Sequence, residues 1–222
     1  MAPKISKTSK MKVAGSKTGS WSLLARVSCP GSLNPDGSVV EVCKSCYATK
    51  GMYRFPVVKN VREHNSEDYK RDEWVDEMIK EVSKFDYFRW FDSGDIESVE
   101  LALKIRSVVR GTPKVAHWLP TRSDKIVSIS RVLSSSSTSV EGKIGVPFKF
   151  LSNVVIRPSA DHIGLNNTER EGVNSFVIKP EDMFEAKKQG IHVCPVGVNP
   201  NQKSCDTCTA CYTDQAVAYV LH

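Results

Sequence analysis

Apolar and polar positions along this chain alternate between two periods, and the alternation predicts strands and helices taking turns. Trp21-Ser-Leu-Leu-Ala-Arg-Val-Ser28 is a short apolar run ending at Cys29-Pro30-Gly31, with a turn at Asn34-Pro35-Asp36-Gly37. It reads as a buried strand delivering Cys29 into a loop. From about residue 60 to 84, Trp74, Val75, Met78, Ile79 and Val82 recur at helical spacing opposite a charged face, which predicts an amphipathic helix. Tyr87-Phe-Arg-Trp-Phe91 is a strand-like aromatic run that breaks into Asp92-Ser93-Gly94-Asp95.

A second helical stripe, Leu101, Ile105, Val108 and Val109, stops at Gly111 and Pro113, where a C-terminal glycine and a trailing proline belong. Lys114-Val-Ala-His-Trp118 is another strand, ending in Pro120-Thr121-Arg122-Ser123. Ser123 caps a third helix carrying Ile126, Ile129, Val132 and Leu133, which fades into a serine-rich loop at 134–139. Phe148 to Ile156 contains a strand that ends in Arg157-Pro-Ser159-Ala-Asp161-His162. Ser175 to Lys179 is a shorter strand, Pro180 opens a helix closed by Gly190, and Ile191-His-Val193 runs into Cys194.

Strands alternating with helices imply right-handed βαβ units on a parallel sheet, either an incomplete (β/α) barrel or an open sheet, and the barrel is the preferred form. The expected division is a flexible basic arm over residues 1–19, an α/β domain over 20–190, and a cysteine-rich segment over 191–222 packed on the same domain. The arm concentrates Lys4, Lys7, Lys10, Lys12 and Lys17 and supplies much of the formal charge of +6. No aromatics interleave its lysines, so a solvated tail is the plain reading and nucleic-acid phosphate the alternative partner.

Seven cysteines change the picture more than the charge does. The first residues carry no apolar segment of a secretory signal, and no run is long enough to span a membrane, so a cytoplasmic, reducing compartment is expected. In such a compartment closely spaced thiols argue for metal rather than disulfides. Cys194-Pro195, followed by Cys205-x2-Cys208-x2-Cys211, is the pattern typical of iron–sulfur ligation, with structural zinc and disulfides as the alternatives. The remaining thiols, Cys29, Cys43 and Cys46, sit on the loop after the first strand; they form a weaker set with one ligand position left over, so one [4Fe–4S] cluster is expected, or two.

Parallel folds place function at the C-terminal ends of their strands. Those ends carry Cys29, then Ser93, Gly94 and Asp95, then Arg122, then Ser159 and Asp161, so thiols, carboxylates and a guanidinium are expected on one face as a cofactor- and substrate-binding site. His117, Trp90, Phe91 and Trp118 are expected in the core, and His162 and His192 are modest ligand candidates.

Cys29-Pro-Gly, Cys43-Lys-Ser-Cys46-Tyr-Ala, Arg89-Trp-Phe-Asp-Ser-Gly-Asp95, His117-Trp-Leu-Pro-Thr-Arg122 and the cysteine tail resemble the bacteriophage gene-product-88 family from about Ser20 to Tyr212. That resemblance implies a phage origin and names no reaction. More distantly the chain resembles radical S-adenosylmethionine (SAM) proteins, which implies a cluster on Cys29, Cys43 and Cys46 with Gly94-Asp95 beside the amino group of SAM. The gap from Cys29 to Cys43 is thirteen residues where that family usually has three, and loop closure tolerates the difference because its cost grows only logarithmically with length. The expected function is a phage iron–sulfur protein, a radical-SAM-like enzyme or, alternatively, a cluster- or zinc-stabilised protein that binds a host protein or nucleic acid.

Overall fold

Strand β2 (Tyr87–Trp90) sets the two faces of the sheet: Phe88 and Trp90 are buried towards helices, and Tyr87 and Arg89, one residue out of phase, belong to the other face. The computed structural model describes residues 2–6, 12–123, 151–166, 174–196, 198–199 and 201–221. Around β2 lie β1 (Thr18–Trp21), β3 (Ala116–Thr121), β4 (Val154–Ile163), β5 (Ser175–Ile178), β6 (His192–Val193) and β7 (Val217–Val220). They form one open, curled sheet in the order β1-β2-β3-β4-β5-β7-β6, and every neighbouring pair is parallel.

The helices are α1 (Glu41–Lys44), α2 (Pro56–Asp68), α3 (Trp74–Val82), α4 (Val99–Gly111) and α5 (Met183–Lys188). The helix expected from 60 to 84 is therefore two. The break at Tyr69–Glu73 is held by Arg71, which reaches back to Asp68 at 2.8 Å and forward to Glu77 at 2.5 Å, and by Lys104, which donates to the carbonyls of Tyr69 and Arg71. These partners satisfy the chain where the helical ladder stops. Ser98 caps α4 by accepting from Leu101 N–H at 3.1 Å.

Helices α3 and α4 pack on β1–β3 around Trp21, which meets Trp74, Trp90, Phe91 and Tyr69 edge-on at 5.3–6.4 Å. His117 belongs to this core as expected. Its Nδ1 accepts from Trp90 Nε1 at 3.2 Å and its Nε2 meets Thr112 Oγ1 at 2.9 Å, and burial holds its pKa down to about 3. A smaller core of Ile178, Ala186, Ile191 and Ala218 seats α5 on the far strands.

Two expectations need correction. Ser159 and Asp161 lie inside β4, not beyond it: the strand pairs with β3 over 154–158 and with β5 from Ser159 to Ile163, with a register shift between those two residues. Pro158 therefore marks a change of partner within one strand. In addition, Val217–Val220 follows the cysteine segment as β7 and inserts between β5 and β6. The helix expected after Ser123 lies outside the described residues. The basic start meets the folded body at several points: Ser6 bridges Ser20, Val13 is buried and bridges Asp206, and His64 Nε2 lies 3.0 Å from the Ala2 carbonyl.

Candidate functional site

The loops after β1, β2 and β3 meet at one end of the sheet, and the expected site residues come together there. Gly94 has φ +76, and a Cβ on it would lie 2.6 Å from both Leu23 Cβ and Ser28 Oγ, so only glycine lets the β2 loop close on the β1 loop. Ser93 Oγ donates to the Leu23 carbonyl at 2.7 Å and accepts from Arg62 Nε. Asp95 Oδ1 accepts from Thr121 Oγ1 and Ile96 N–H, each at 2.7 Å, while Oδ2 accepts from Arg122 N–H at 2.7 Å. Burial raises the Asp95 pKa to about 6 against the pull of those donors.

Arg122 extends the same junction, donating through Nε to the Gly31 carbonyl at 2.8 Å, through Nη1 to the Ala160 carbonyl and through Nη2 to Asp161. The guanidinium thus ties the cysteine loop to β4. Ser159 stands in β4 two residues beyond Arg157.

Against this wall sit the first three thiols. Cys29 Sγ accepts from Arg26 N–H at 3.3 Å, and Arg26 Nη2 donates to the Cys43 carbonyl at 3.3 Å. Burial pushes the Cys29 thiol up to about 12, helped by the nearby charges of Asp95, Cys46 and Cys43; burial also raises Cys43, opposed by Arg122. Tyr47 and Tyr53, flanking this loop, donate to Asp92 carbonyl and carboxylate oxygens at 2.6 Å, and Asp92 in turn pairs with Arg89 at 2.9 Å.

The other four thiols lie in the crossover from β6 to β7. Parallel neighbours are usually joined through an α-helix; here residues 194–216 contain only a 3-10 turn at Ala210–Tyr212 among those described. Cys194, Cys205, Cys208 and Cys211 line a small cavity of about 20 Å3 with His192 and Tyr212. All four are free thiols. Burial raises Cys194 to about 11 and Cys205 to about 12, and the neighbouring thiols push each up further. His192 Nε2 is 3.3 Å from Cys208 Sγ, and Tyr219 Oη is 3.2 Å from Cys211 Sγ.

This crossover covers the sheet face opposite the helices. Tyr212 packs on Tyr87 and Trp118, Trp118 stacks on Tyr219, and Arg89 lies over the Trp118 ring at 4.6 Å. Arg157, fully buried, donates to four carbonyls: Asn174 at 2.9 Å, Gln215 at 2.8 Å, Ala210 at 3.1 Å and Thr213 at 2.7 Å. Burial raises the Cys211 thiol, and the Tyr219 hydroxyl and the charges of Arg157 and Arg89 oppose that rise. Sequence reasoning passed over Arg89 and gave Arg157 little weight. The available signal was a cation set among strand aromatics, Phe88-Arg89-Trp90, where burial leaves a charge few unremarkable roles.

Some groups lie apart from both sets. His162 is exposed and faces Glu41 at 3.5 Å. Among the described residues, no group of three or more His, Cys, Asp or Glu side chains is arranged to hold a single metal ion, and no helix is long and apolar enough to cross a membrane.

An open, curled parallel sheet with thiols gathered beyond β1 and across one face defines a cysteine-rich α/β protein. The chain belongs to the gene product 88 family, a bacteriophage family whose model matches residues 2–214. No curated protein and no solved structure matches it.

Proposed function

We propose that this phage protein carries an iron–sulfur cluster on Cys194, Cys205, Cys208 and Cys211, and that Cys29, Cys43 and Cys46 form a second, incompletely ligated site where any reaction takes place. The observation that carries the reading is the tail crossover itself, in which four free thiols line one cavity within a segment that has almost no regular secondary structure. Buried thiols with raised pKa values are poor anions by themselves, and a metal centre supplies the compensating charge while contributing folding free energy.

Buried donors support a cluster over zinc. Arg157 Nε, Trp118 Nε1 and the Tyr212 hydroxyl have no acceptor among the described residues, and all three belong to the side chains packed around the tail. Such orphans call for an ion or solvent partner, and the bridging sulfides of a cluster are acceptors that a bare metal ion lacks. A tetrahedral zinc would also draw its sulfurs to about 3.8 Å, from Zn–S bonds of about 2.3 Å.

At the other site, Cys29, Cys43 and Cys46 would hold a [4Fe–4S] group by three thiolates, which would leave one iron for a small molecule. The protein's part is to fix the surroundings: Asp95 and Arg122 lock the loops together, and Arg122 also favours the thiolate form of Cys43.

The test is iron, acid-labile sulfide and zinc per chain, measured on protein isolated and reconstituted without oxygen. The expected content is about four irons and four sulfides for one site, or about eight of each for two. Stoichiometric zinc without sulfide would overturn the reading. The narrower reading, a radical-SAM-like enzyme, is favoured by three thiols at the C-terminal side of an open parallel sheet. It predicts SAM affinity and 5′-deoxyadenosine formation under reductant; a cluster-loaded sample showing neither refutes that step alone.

A further inference from the structure

Of the seven exposed large apolar side chains among the described residues, six fall between residues 27 and 57, leaving only Phe184 elsewhere. Met52 is 68 % exposed, Phe55 56 % and Val57 69 %. The same stretch is one-sided in charge: residues 42–62 contain Lys44, Lys50, Arg54, Lys59 and Arg62 and no Asp or Glu. Arg62 turns inward to Ser93 and the Val58 carbonyl, whereas Lys44, Lys50, Arg54 and Lys59 are exposed and form no ion pair among the described residues. The nearest acid before the stretch, Glu41, is engaged by Ile163 N–H at 3.0 Å and by His162.

The surface is built rather than loose. Two 3-10 turns, Tyr47–Thr49 and Gly51–Arg54, lead into α2, and the carbonyls of Lys50, Met52 and Phe55 accept from Tyr53, Phe55 and Val58 N–H at 3.0–3.2 Å. Tyr47 and Tyr53 meet edge-on at 5.5 Å, with both hydroxyls on Asp92. That anchor fixes the patch beside the Cys29, Cys43 and Cys46 site.

We propose that this face, from Lys44 to Lys59, binds single-stranded nucleic acid, with Lys44, Lys50, Arg54 and Lys59 on phosphates and Phe55 and Met52 against unstacked bases. Exposed cations recurring between exposed apolar side chains along one stretch suit a strand that presents phosphates and bases in alternation. A protein partner would want the apolar area gathered into a centre poor in charge, and here cations interrupt it. A membrane would want one continuous apolar helix face, and here the apolar groups come from two tight turns and the first turn of α2. The proposal uses no thiol and stands whether or not either site holds metal.

The test is fluorescence anisotropy of the full chain with a labelled oligothymidylate of about twenty nucleotides, followed as salt is raised from about 0.05 M. In the Lys50→Glu, Arg54→Glu, Lys59→Glu variant the slope of log affinity against log salt should fall by about 2, at about 0.7 for each phosphate no longer neutralised. Phe55→Ala should weaken binding about 5- to 150-fold with the slope unchanged. Unchanged thermal melting in both variants, expected at such exposed positions, confines the effect to the surface. Three outcomes overturn the proposal: no binding by the native chain, full binding by both variants with loss only when Lys4, Lys7, Lys10, Lys12 and Lys17 become Ser, or equal affinity for polyglutamate or anionic lipid vesicles.

Discussion

Replacing Arg157 by Met removes a buried guanidinium and takes one donor from each of four carbonyls; Asn174 still accepts from Val217 N–H at 2.9 Å and Ala210 from Thr213 N–H and Oγ1 at 3.2 and 2.9 Å, whereas Gln215 and Thr213 lose the donor that Arg157 supplies. Each charge-assisted bond is worth about 1.5–3 kcal/mol, but the four are not additive, and carbonyls near solvent recover water. Leaving a buried acceptor unsatisfied costs about 1–3 kcal/mol, so with two such carbonyls and two weakened ones the loss should be about 3–5 kcal/mol; at this chain length that lowers the melting temperature by roughly 10 °C. Ala210 and Thr213 sit on one segment, and Asn174 and Gln215 flank the starts of β5 and β7, so the damage should concentrate where the crossover joins the sheet. Denaturant unfolding gives the total, and hydrogen exchange across residues 205–220 locates it. Arg157→Lys keeps the charge but, lacking the planar fork, cannot serve both pairs of carbonyls, so it should recover less than half. A loss under about 1 kcal/mol, or lost protection confined to α3 and α4, would refute the clamp.

Two further outcomes concern His117 in the core and Gly94 at the junction of the β1 and β2 loops. Because the folded-state pKa of His117 lies near 3 and the unfolded value near 6.5, the unfolded chain takes up the proton first as pH falls. Stability should therefore drop between pH 6.5 and 5 by about 2 kcal/mol, and His117→Gln should lose that part of the slope in urea titrations. Gly94→Ala should cost about 3 kcal/mol by thermal unfolding, about 1–2 from the left-handed backbone and the rest from collision with Leu23 and Ser28. Gly37→Ala, at φ +82 with nothing within 4 Å, should show the backbone part alone; equal losses at both sites would remove the packing argument.

What could be read from the sequence is what short-range pattern encodes. Helical spacing at Leu101, Ile105, Val108 and Val109 predicted α4, and the rule that parallel strands end at a functional edge brought Asp95 and Arg122 together, where they share a 2.7 Å hydrogen bond. The rest depended on partners far along the chain. The polar run Pro158-Ser-Ala-Asp161 reads as a turn, yet it continues β4 because β5 takes over its pairing there. The last strand, Val217–Val220, is four residues long, too short for period to declare it beside so strong a cysteine signal. Arg157 finds its acceptors in the carbonyls of residues 174, 210, 213 and 215, partners that no local pattern around it announces.

The place of β7 in the sheet also imposes an order of events. Among the described residues β6 pairs with β7 alone, and β5 and β7 are neighbours, so the far edge of the sheet is completed by a strand that follows all seven cysteines in the chain. Until Cys194 to Cys211 have settled, β5 and β6 remain open strand edges, the state in which chains pair wrongly with one another. Supply of whatever the tail thiols bind would then act on the yield of folded protein, and scarcity would be felt during synthesis, before any finished molecule exists to be tested.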